Sequence, residues 1–239
     1  MKRRLYVGVS GFSYPGWRGK FYPKELKSEE FLAHYSQKLN SVEINSSFYA
    51  PPTATTVKSW SAKTYDGFKF SLKAPRQITH ILKLGQGSAE PTERVWKTLE
   101  LLESKRGPIL FQLPPFAKQD LKLLETFLRD TSLVSEKIFE FRHASWLDEP
   151  TYKLLDKYEA GFCIADTEDM EPVLMMVGDV AYFRLRKDVY TQESIDNWSG
   201  LIGKLVKGAS EVYVYLRHDE TGENAAYALR LREQLEQAG

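Results

Sequence analysis

The chain has little of what identifies several common protein classes. Its 239 residues include one cysteine, Cys163, which excludes an intramolecular disulfide and a zinc site built from several cysteines. No run of about 18 apolar residues occurs, which argues against a membrane-spanning helix. The 33 Lys and Arg residues nearly balance the 32 Asp and Glu residues, so the overall charge gives no drive toward nucleic acid or an anionic membrane. Any preference for anions must therefore be local.

Two kinds of catalytic motif are also missing. Residues 8–11 contain two glycines but lack the spacing of a phosphate-binding or dinucleotide-binding loop, and there is no His-Glu-x-x-His sequence.

Residues 1–4 are basic but lead into a strand-like segment rather than the apolar core of a signal peptide. We therefore expect a cytoplasmic protein without a membrane partner. The length and the 42% hydrophobic content fit a single domain over residues 1–239.

What the chain does have is a recurring strand with one apolar and one polar face. From residue 138 onward, Glu140 and Arg142 alternate with Phe139 and Phe141. Because successive strand residues point to opposite faces, a charged face lies behind an aromatic one. The same alternation predicts eight strands, at residues 5–10, 41–45, 68–73, 108–113, 138–142, 162–166, 180–186 and 212–217. Helical periodicity is found at 28–39, 53–64, 93–104, 121–128, 150–158, 193–206 and 223–237, and residues 170–177 fit either an irregular connection or an edge strand.

Strands that alternate with helices favour parallel pairing through helical crossovers. Eight such units in a chain of this length predict an α/β protein with a single (β/α)₈ TIM-type barrel. An open doubly wound sheet is the alternative, but it predicts strands that are apolar on both faces. The polar phase of these strands favours the barrel, with a polar interior at its C-terminal end.

A polar barrel interior is unusual, because charged groups are costly to bury unless they are paired or used. Barrel enzymes place their chemistry at the C-terminal ends of the strands, where many of these residues lie. A paired ionic network that fills the barrel is one interpretation and a preorganised site is another, and the two are compatible. The residues expected in the interior or at its upper rim are Ser10, Glu43, Asn45, Lys73, Gln112, Glu140, Arg142, Asp166, Arg184 and Tyr215.

The residue types in this set, and in the loops that follow the strands, favour acid–base chemistry on an anion. Converging guanidinium groups bind phosphate or carboxylate through paired hydrogen bonds, and carboxylates and histidines transfer protons. Each histidine or loop aromatic taken singly is at least as well explained as a structural residue, and Arg186 and Arg217 as solvated rim residues. We predict catalytic roles for Glu43, Lys73, His80, Glu140, His143 and Asp166, and substrate binding by Trp17, Asn45, Tyr49, Arg76, Gln112, Arg142, Trp146 and Arg184.

Three functional hypotheses follow. The leading one is an enzyme that binds a small phosphorylated or carboxylated substrate at the C-terminal mouth of the barrel. The second is metal-dependent phosphoester hydrolysis, with Glu43, Glu140, Asp166 and a histidine as ligands of a divalent metal, although the sequence requires no metal or other cofactor. The third is non-catalytic binding of a nucleotide or single-stranded nucleic acid, which the balanced charge disfavours. A monomer and a homodimer both stay open.

Short segments along almost the whole chain form one specific pattern. They are GVSGFSYPGW at 8–17 with FYP at 21–23, VEINSSFY at 42–49, FSLKAPR at 70–76 with Thr79-His80, QLPP at 112–115, EFRH at 140–143 with Ser145-Trp146, and Ala165-Asp166. In these segments the chain resembles the YecE-like family, a widespread domain family of unknown function. The resemblance implies a TIM-type barrel and brings no established reaction. Two segments depart from the family pattern: Arg186-Lys187 stands where the family often has His-Gly, and Arg217-His218-Asp219 stands where it often has Asn-Asn.

Overall fold

The computed structural model describes residues 3–238, and strands and helices alternate along nearly the whole of this range. The strands are β1 (Arg4–Val9), β2 (Ser41–Ile44), β3 (Lys69–Lys73), β4 (Arg106–Gln112), β5 (Lys137–Glu140), β6 (Gly161–Asp166), β7 (Val180–Leu185) and β8 (Glu211–Leu216). The α-helices are α1 (Phe31–Lys38), α2 (Ala54–Ala62), α3 (Ala89–Leu99), α4 (Leu121–Asp130), α5 (Glu149–Lys157), α6 (Gln192–Leu205) and α7 (Glu223–Gln237).

All neighbouring strands pair in parallel, and the predicted TIM-type barrel is confirmed. The sheet runs from β2 through β3 to β8 in chain order and then to β1, where Val7 of β1 lies opposite Val214 of β8. An open doubly wound sheet would instead reverse its strand order at a switch point. The open-sheet alternative is therefore wrong.

The barrel closes between β1 and β2, partly through side chains. Ser10 and Glu43 form a single parallel bridge, and below it the hydroxyl of Tyr35 lies between the two strands. That hydroxyl accepts from the backbone N–H of Val9 at 2.8 Å and donates to the carbonyl of Ser41 at 2.8 Å. Gly8 permits this close approach, because a Cβ there would lie 1.9 Å from the Ser41 oxygen.

Several helices begin where a side chain can accept a hydrogen bond from a free backbone N–H of the first turn. Thr53, Asp120, Asp148 and Thr191 each accept from the residue three positions on. The predicted helix at 93–104 in fact begins at Ala89 and ends at Leu99, and a 3₁₀ segment follows it. Residues 170–177 form an irregular connection rather than an edge strand.

Two apolar layers position the polar residues. The outer layer fills the space between strands and helices and includes Phe111, Phe139 and Trp146. The inner layer fills the lower barrel with aromatic side chains such as Tyr182 and Tyr213, and the charged residues lie above it, toward the strand C-termini. Within residues 3–238, no helix is long and apolar enough to cross a membrane.

Candidate functional site

Arg184 lies at the centre of the polar layer and joins two acids from different strands. It projects inward from β7 and is 1% exposed. Its Nη2 and Nε donate to the carboxylate of Glu43 on β2 at 2.8 and 2.9 Å, and its Nη1 donates to Glu140 on β5 at 2.5 Å. All three side chains are buried, so this network connects opposite sides of the barrel in a medium of low polarity.

Glu140 is surrounded by donors. Its Oε1 accepts from Nε2 of Gln112 at 2.6 Å and from Nε of Arg142 at 2.8 Å. Burial by itself raises the pKa of Glu140, but the charges of Arg184 and Arg142 and these hydrogen bonds outweigh burial and hold the pKa well below its usual range. Glu140 is therefore a fixed anion that orients two guanidinium groups, and it is a weak base.

Lys73, at the end of β3, lies close to this network without bonding to it. Its Nζ is 4.2 Å from the ring centre of Phe48, and it makes no hydrogen bond or ion pair with any of residues 3–238. Burial lowers the pKa of Lys73 to about 8, the charge of Arg184 adds to this effect, and Glu140 and Glu43 oppose it. A large fraction of Lys73 is therefore the neutral amine at mildly alkaline pH.

His80 contacts the same Phe48 ring as Lys73. The imidazole packs edge-to-face against Phe48, with ring centres 4.8 Å apart, and its Nδ1 is 2.9 Å from the Thr79 hydroxyl. Partial burial lowers the pKa of His80, and the charges of Lys73 and of two arginines add to this effect. The imidazole is consequently neutral at pH 7 and sits beside Lys73.

A second basic group lies across the mouth, around Arg186. The side chain of Arg186 follows Arg184 in the same phase of β7, and its Nη1 donates to the hydroxyl of buried Ser10 at 2.5 Å. Burial lowers the pKa of Arg186 to about 10, and the charge of Arg184 adds to this effect. Tyr14 stacks on His218 at 4.6 Å beside it. Arg186 is not among the residues predicted for the site, although its position two residues after Arg184 places it in the same strand phase and is the signal that could have found it.

Two buried polar atoms near this end of the barrel have no hydrogen-bond partner in the described part of the chain. They are Oδ1 of Asn45, which follows β2, and Nδ1 of His218, which follows β8. Unpaired buried polar atoms are costly and uncommon in folded proteins. Asn45 was predicted as a substrate-binding residue, and its Oδ1 is one of these two unpaired atoms.

One predicted member of the interior set lies outside the barrel. Asp166 ends β6 with its side chain between the sheet and α6, where its Oδ2 accepts from Tyr190 at 2.9 Å and from Trp198 at 3.1 Å, and its Oδ1 pairs with Lys187 at 3.1 Å. The neighbours of Asp166 in the opposite phase, Cys163 and Ala165, face the interior instead. The prediction that Asp166 joins the other acids in the interior is wrong.

Two tryptophans that were predicted to bind substrate, Trp17 and Trp146, are buried. Trp17 is fully buried under the loop after β8 and donates to the carbonyl of Asp219 at 2.7 Å. Trp146 is 2% exposed, stacks on Phe141 at 4.5 Å and donates to the carbonyl of Ala117 at 2.8 Å. Both indoles belong to the outer apolar layer, and their N–H groups are already used, so neither can stack on a ligand at the mouth.

The remaining predicted residues lie at the rim. Arg76 is exposed in the loop after β3, and Tyr49 is 84% exposed beside Phe48. His143 begins the short turn after β5, where its Nδ1 accepts from the backbone N–H of Ser145 at 3.1 Å. That bond gives His143 a local capping role, separate from the charged network.

The metal-ligand set hypothesised from the sequence is not assembled. Glu43 and Glu140 bind Arg184, and Asp166 faces α6. Across residues 3–238, no three side chains of the His, Cys, Asp and Glu types are grouped so that they could hold a metal ion. A narrow cavity of about 30 Å³ does reach Glu140 and Arg142 from the side of the 167–173 segment, and it has room for about one water molecule.

Comparisons with known proteins agree with the predicted resemblance. A family model described as "Protein of unknown function DUF72" matches residues 6–239. The chain is 28% identical to a DUF72 family protein of Thermotoga maritima whose crystal structure superposes with a TM-score of 0.88, over 98% of this chain and 100% of that one.

Two curated relatives carry family names of the same kind. The UPF0759 protein YunF of Bacillus subtilis is 27% identical over 62% of this chain and 54% of its own length. The UPF0759 protein YecE of Escherichia coli K12 is 30% identical over 52% of this chain and 43% of its own length. The matches therefore span about half the length of these relatives.

Proposed function

Because this chain belongs to the DUF72 family, whose function is unknown, its activity has to be inferred from its own side chains; we propose an enzyme that binds a small phosphorylated or carboxylated substrate at the C-terminal mouth of the barrel. One observation carries the proposal. Four cationic side chains surround the two carboxylates of the polar layer, and those carboxylates are already paired. The four are Lys73, Arg142, Arg184 and Arg186.

The excess positive charge has donors to offer. Arg142 uses Nε to bind Glu140, which leaves its two terminal nitrogens without a partner in residues 3–238. Arg186 uses Nη1 to bind Ser10, and its Nε and Nη2 are free in the same sense. Guanidinium nitrogens that are prepositioned and partly buried bind phosphate and carboxylate more strongly than flexible surface lysines do. These two arginines are the proposed anion ligands, with Arg76 at the rim.

The proton-transfer groups follow from the pKa shifts. Glu140 is one of the predicted catalytic residues, but its low pKa makes it a poor proton acceptor at neutral pH. Burial lowers the pKa of Lys73 to about 8 and lowers the pKa of His80 below its ordinary value, and both residues contact the ring of Phe48. We assign base chemistry to these two residues, and assign Glu43, Glu140 and Gln112 to positioning the arginines.

Anion binding is tested directly with inorganic phosphate. We expect phosphate to raise the melting temperature of the protein more than sodium chloride of equal ionic strength does. Arg142→Met and Arg186→Met are each expected to weaken phosphate binding by at least about tenfold in calorimetry, because each removes a charge-assisted hydrogen bond. Arg129→Gln is the matched control, since Arg129 is exposed on α4 and pairs only with the adjacent Asp130.

Two results would contradict the proposal. One is a phosphate effect no larger than that of chloride. The other is unchanged phosphate affinity in both Arg142→Met and Arg186→Met, provided that each variant is folded by circular dichroism.

A further inference from the structure

Two lysines of the described chain, Lys105 and Lys137, are buried, and Lys73 at the end of β3 is half-buried. Lys105 donates to the carbonyls of Ser61 and Thr64 at 2.8 and 2.7 Å. Lys137, at the lower end of β5, likewise donates to two carbonyls of the chain just before it. Lys73 has no such acceptor in residues 3–238, and its amine faces an aromatic ring. Two of these lysines are therefore held by backbone oxygens, and the third keeps its nitrogen free.

The surroundings of Lys73 also remove its natural ionic partners. Glu43 and Glu140 are the nearest acids in the polar layer, and both are bound by arginine. The half-buried amine of Lys73 makes no hydrogen bond or ion pair with residues 3–238 that would stabilise the fold, which makes it a position that function rather than stability explains. Arg142, which binds Glu140 through Nε, is also one of the two arginines that we assign to the charged group of a substrate.

We propose that Lys73 is a nucleophile whose Nζ forms an imine with the carbonyl carbon of a small aldehyde or ketone that carries a phosphate or carboxylate group. This inference rests on the proposed function, since Arg142 and Arg186 would bind the charged group while Lys73 reacts with the carbonyl. It names the substrate class that the anion site by itself leaves open.

The step releases water and takes up one proton from solvent. The lone pair of neutral Lys73 Nζ attacks the carbonyl carbon, the C–N bond forms, and one proton of the resulting ammonium group passes to the carbonyl oxygen to give a neutral carbinolamine. The nitrogen lone pair then expels the hydroxyl group, which takes up a proton from solvent and leaves as water, so that a protonated C=N bond remains. His80 contacts the same Phe48 ring as Lys73 and is the histidine that would carry protons to and from this site. The cationic imine withdraws electrons from the adjacent carbon, as in other lysine-dependent enzymes.

The lowered pKa of Lys73 is consistent with this role, because only the neutral amine attacks a carbonyl. It does not by itself identify a nucleophile. The pKa of Lys137 is lowered to about 8 as well, although its amine is occupied by carbonyls. Lys73 and Lys137 therefore have similar pKa values, but only the amine of Lys73 is free to react with a carbonyl compound.

The experiment is reductive trapping. The protein is incubated with glyoxylate or with glycolaldehyde phosphate, two small carbonyl probes that carry a carboxylate or a phosphate, in the presence of sodium cyanoborohydride at pH 8. Peptide mass spectrometry then measures the rate at which each lysine acquires the reduced adduct. We expect Lys73 to be labelled at least about tenfold faster than exposed Lys153, Lys137 to stay unlabelled, and inorganic phosphate to slow the reaction at Lys73.

Two variants sharpen the result. Lys73→Arg keeps the positive charge and is expected to lose the fast adduct without gaining another. Lys153→Arg removes an exposed lysine of α5 and is expected to leave the labelling of Lys73 unchanged. Labelling of Lys73 at or below the rate of Lys153 with both probes overturns the imine. If phosphate still binds in that case, the anion site stands and only the imine fails; if phosphate does not bind, both fail.

Discussion

Arg184 on β7 donates hydrogen bonds to Glu43 on β2, from Nη2 at 2.8 Å and from Nε at 2.9 Å, and these bonds connect the two strands across the barrel. Both side chains are buried, and the same guanidinium also binds Glu140. This relationship makes the interior both a structural tie and a source of fixed charge.

Arg184→Met should be among the most destabilising single substitutions in the interior. It leaves Glu43 and Glu140 buried next to each other without their shared counter-charge, and removal of one partner of a buried pair costs about 3–5 kcal/mol. Urea denaturation measures the free energy of unfolding. Lys153→Met breaks the exposed pair with Glu149 and serves as the control, with an expected loss below about 1 kcal/mol. Equal effects of the two substitutions would refute a tie through Arg184.

Stability should fall as the pH drops below about 4.5, the ordinary value for glutamate, with Glu140 as a main cause. The folded-state pKa of Glu140 is lower than its unfolded-state pKa, so in acid the unfolded chain binds a proton that the folded chain does not. The contribution of Glu140 to the free energy of unfolding is therefore complete above its unfolded-state pKa and is lost as the pH falls toward its folded-state pKa. Glu140→Gln should reduce the slope of unfolding free energy against pH between pH 5 and 3, by up to about 1.4 kcal/mol per pH unit. An unchanged slope would show that Glu140 is not the group that titrates.

Gly8→Ala should disrupt the closure of the barrel between β1 and β2. The added Cβ would lie 1.9 Å from the carbonyl oxygen of Ser41, and the backbone there is fixed by Tyr35. We expect a loss of at least about 3 kcal/mol in the free energy of unfolding. Gly200→Ala on α6 is the control, because a Cβ there has open space and should stabilise the helix by about 0.5–1 kcal/mol. A folded Gly8→Ala protein of wild-type stability would contradict the described closure.

The sequence was sufficient for the barrel and for most of the polar interior, because alternation within a strand determines which residues share a face. Glu140 and Arg142 were placed correctly for this reason, as were Glu43 and Arg184. The same alternation places Arg186 on the interior side. It was not predicted as a site residue because arginines at the rim were interpreted as solvated.

Residues whose location depends on packing could not be predicted in the same way. The residues of β6 do not show by their type which of them face the interior. The small side chains of Cys163 and Ala165 face it, because the large side chains of Tyr182 and Arg184 on β7 fill the space beside them. The side chain of Asp166 faces α6 instead, where it accepts a hydrogen bond from Trp198, a residue 32 positions away. Trp17 likewise is buried by the distant segment around Asp219. A single sequence does not reveal such pairings.

The most direct test of the account is the titration of the Lys73 amine by NMR after reductive methylation with ¹³C-formaldehyde, with Lys73→Arg used to assign its signal. We predict a midpoint near pH 8 that rises when inorganic phosphate is added, because a bound anion favours the charged amine. A Lys73 midpoint at the ordinary value of about 10.4, or one that phosphate does not move, would contradict an anion site built around a partly neutral lysine.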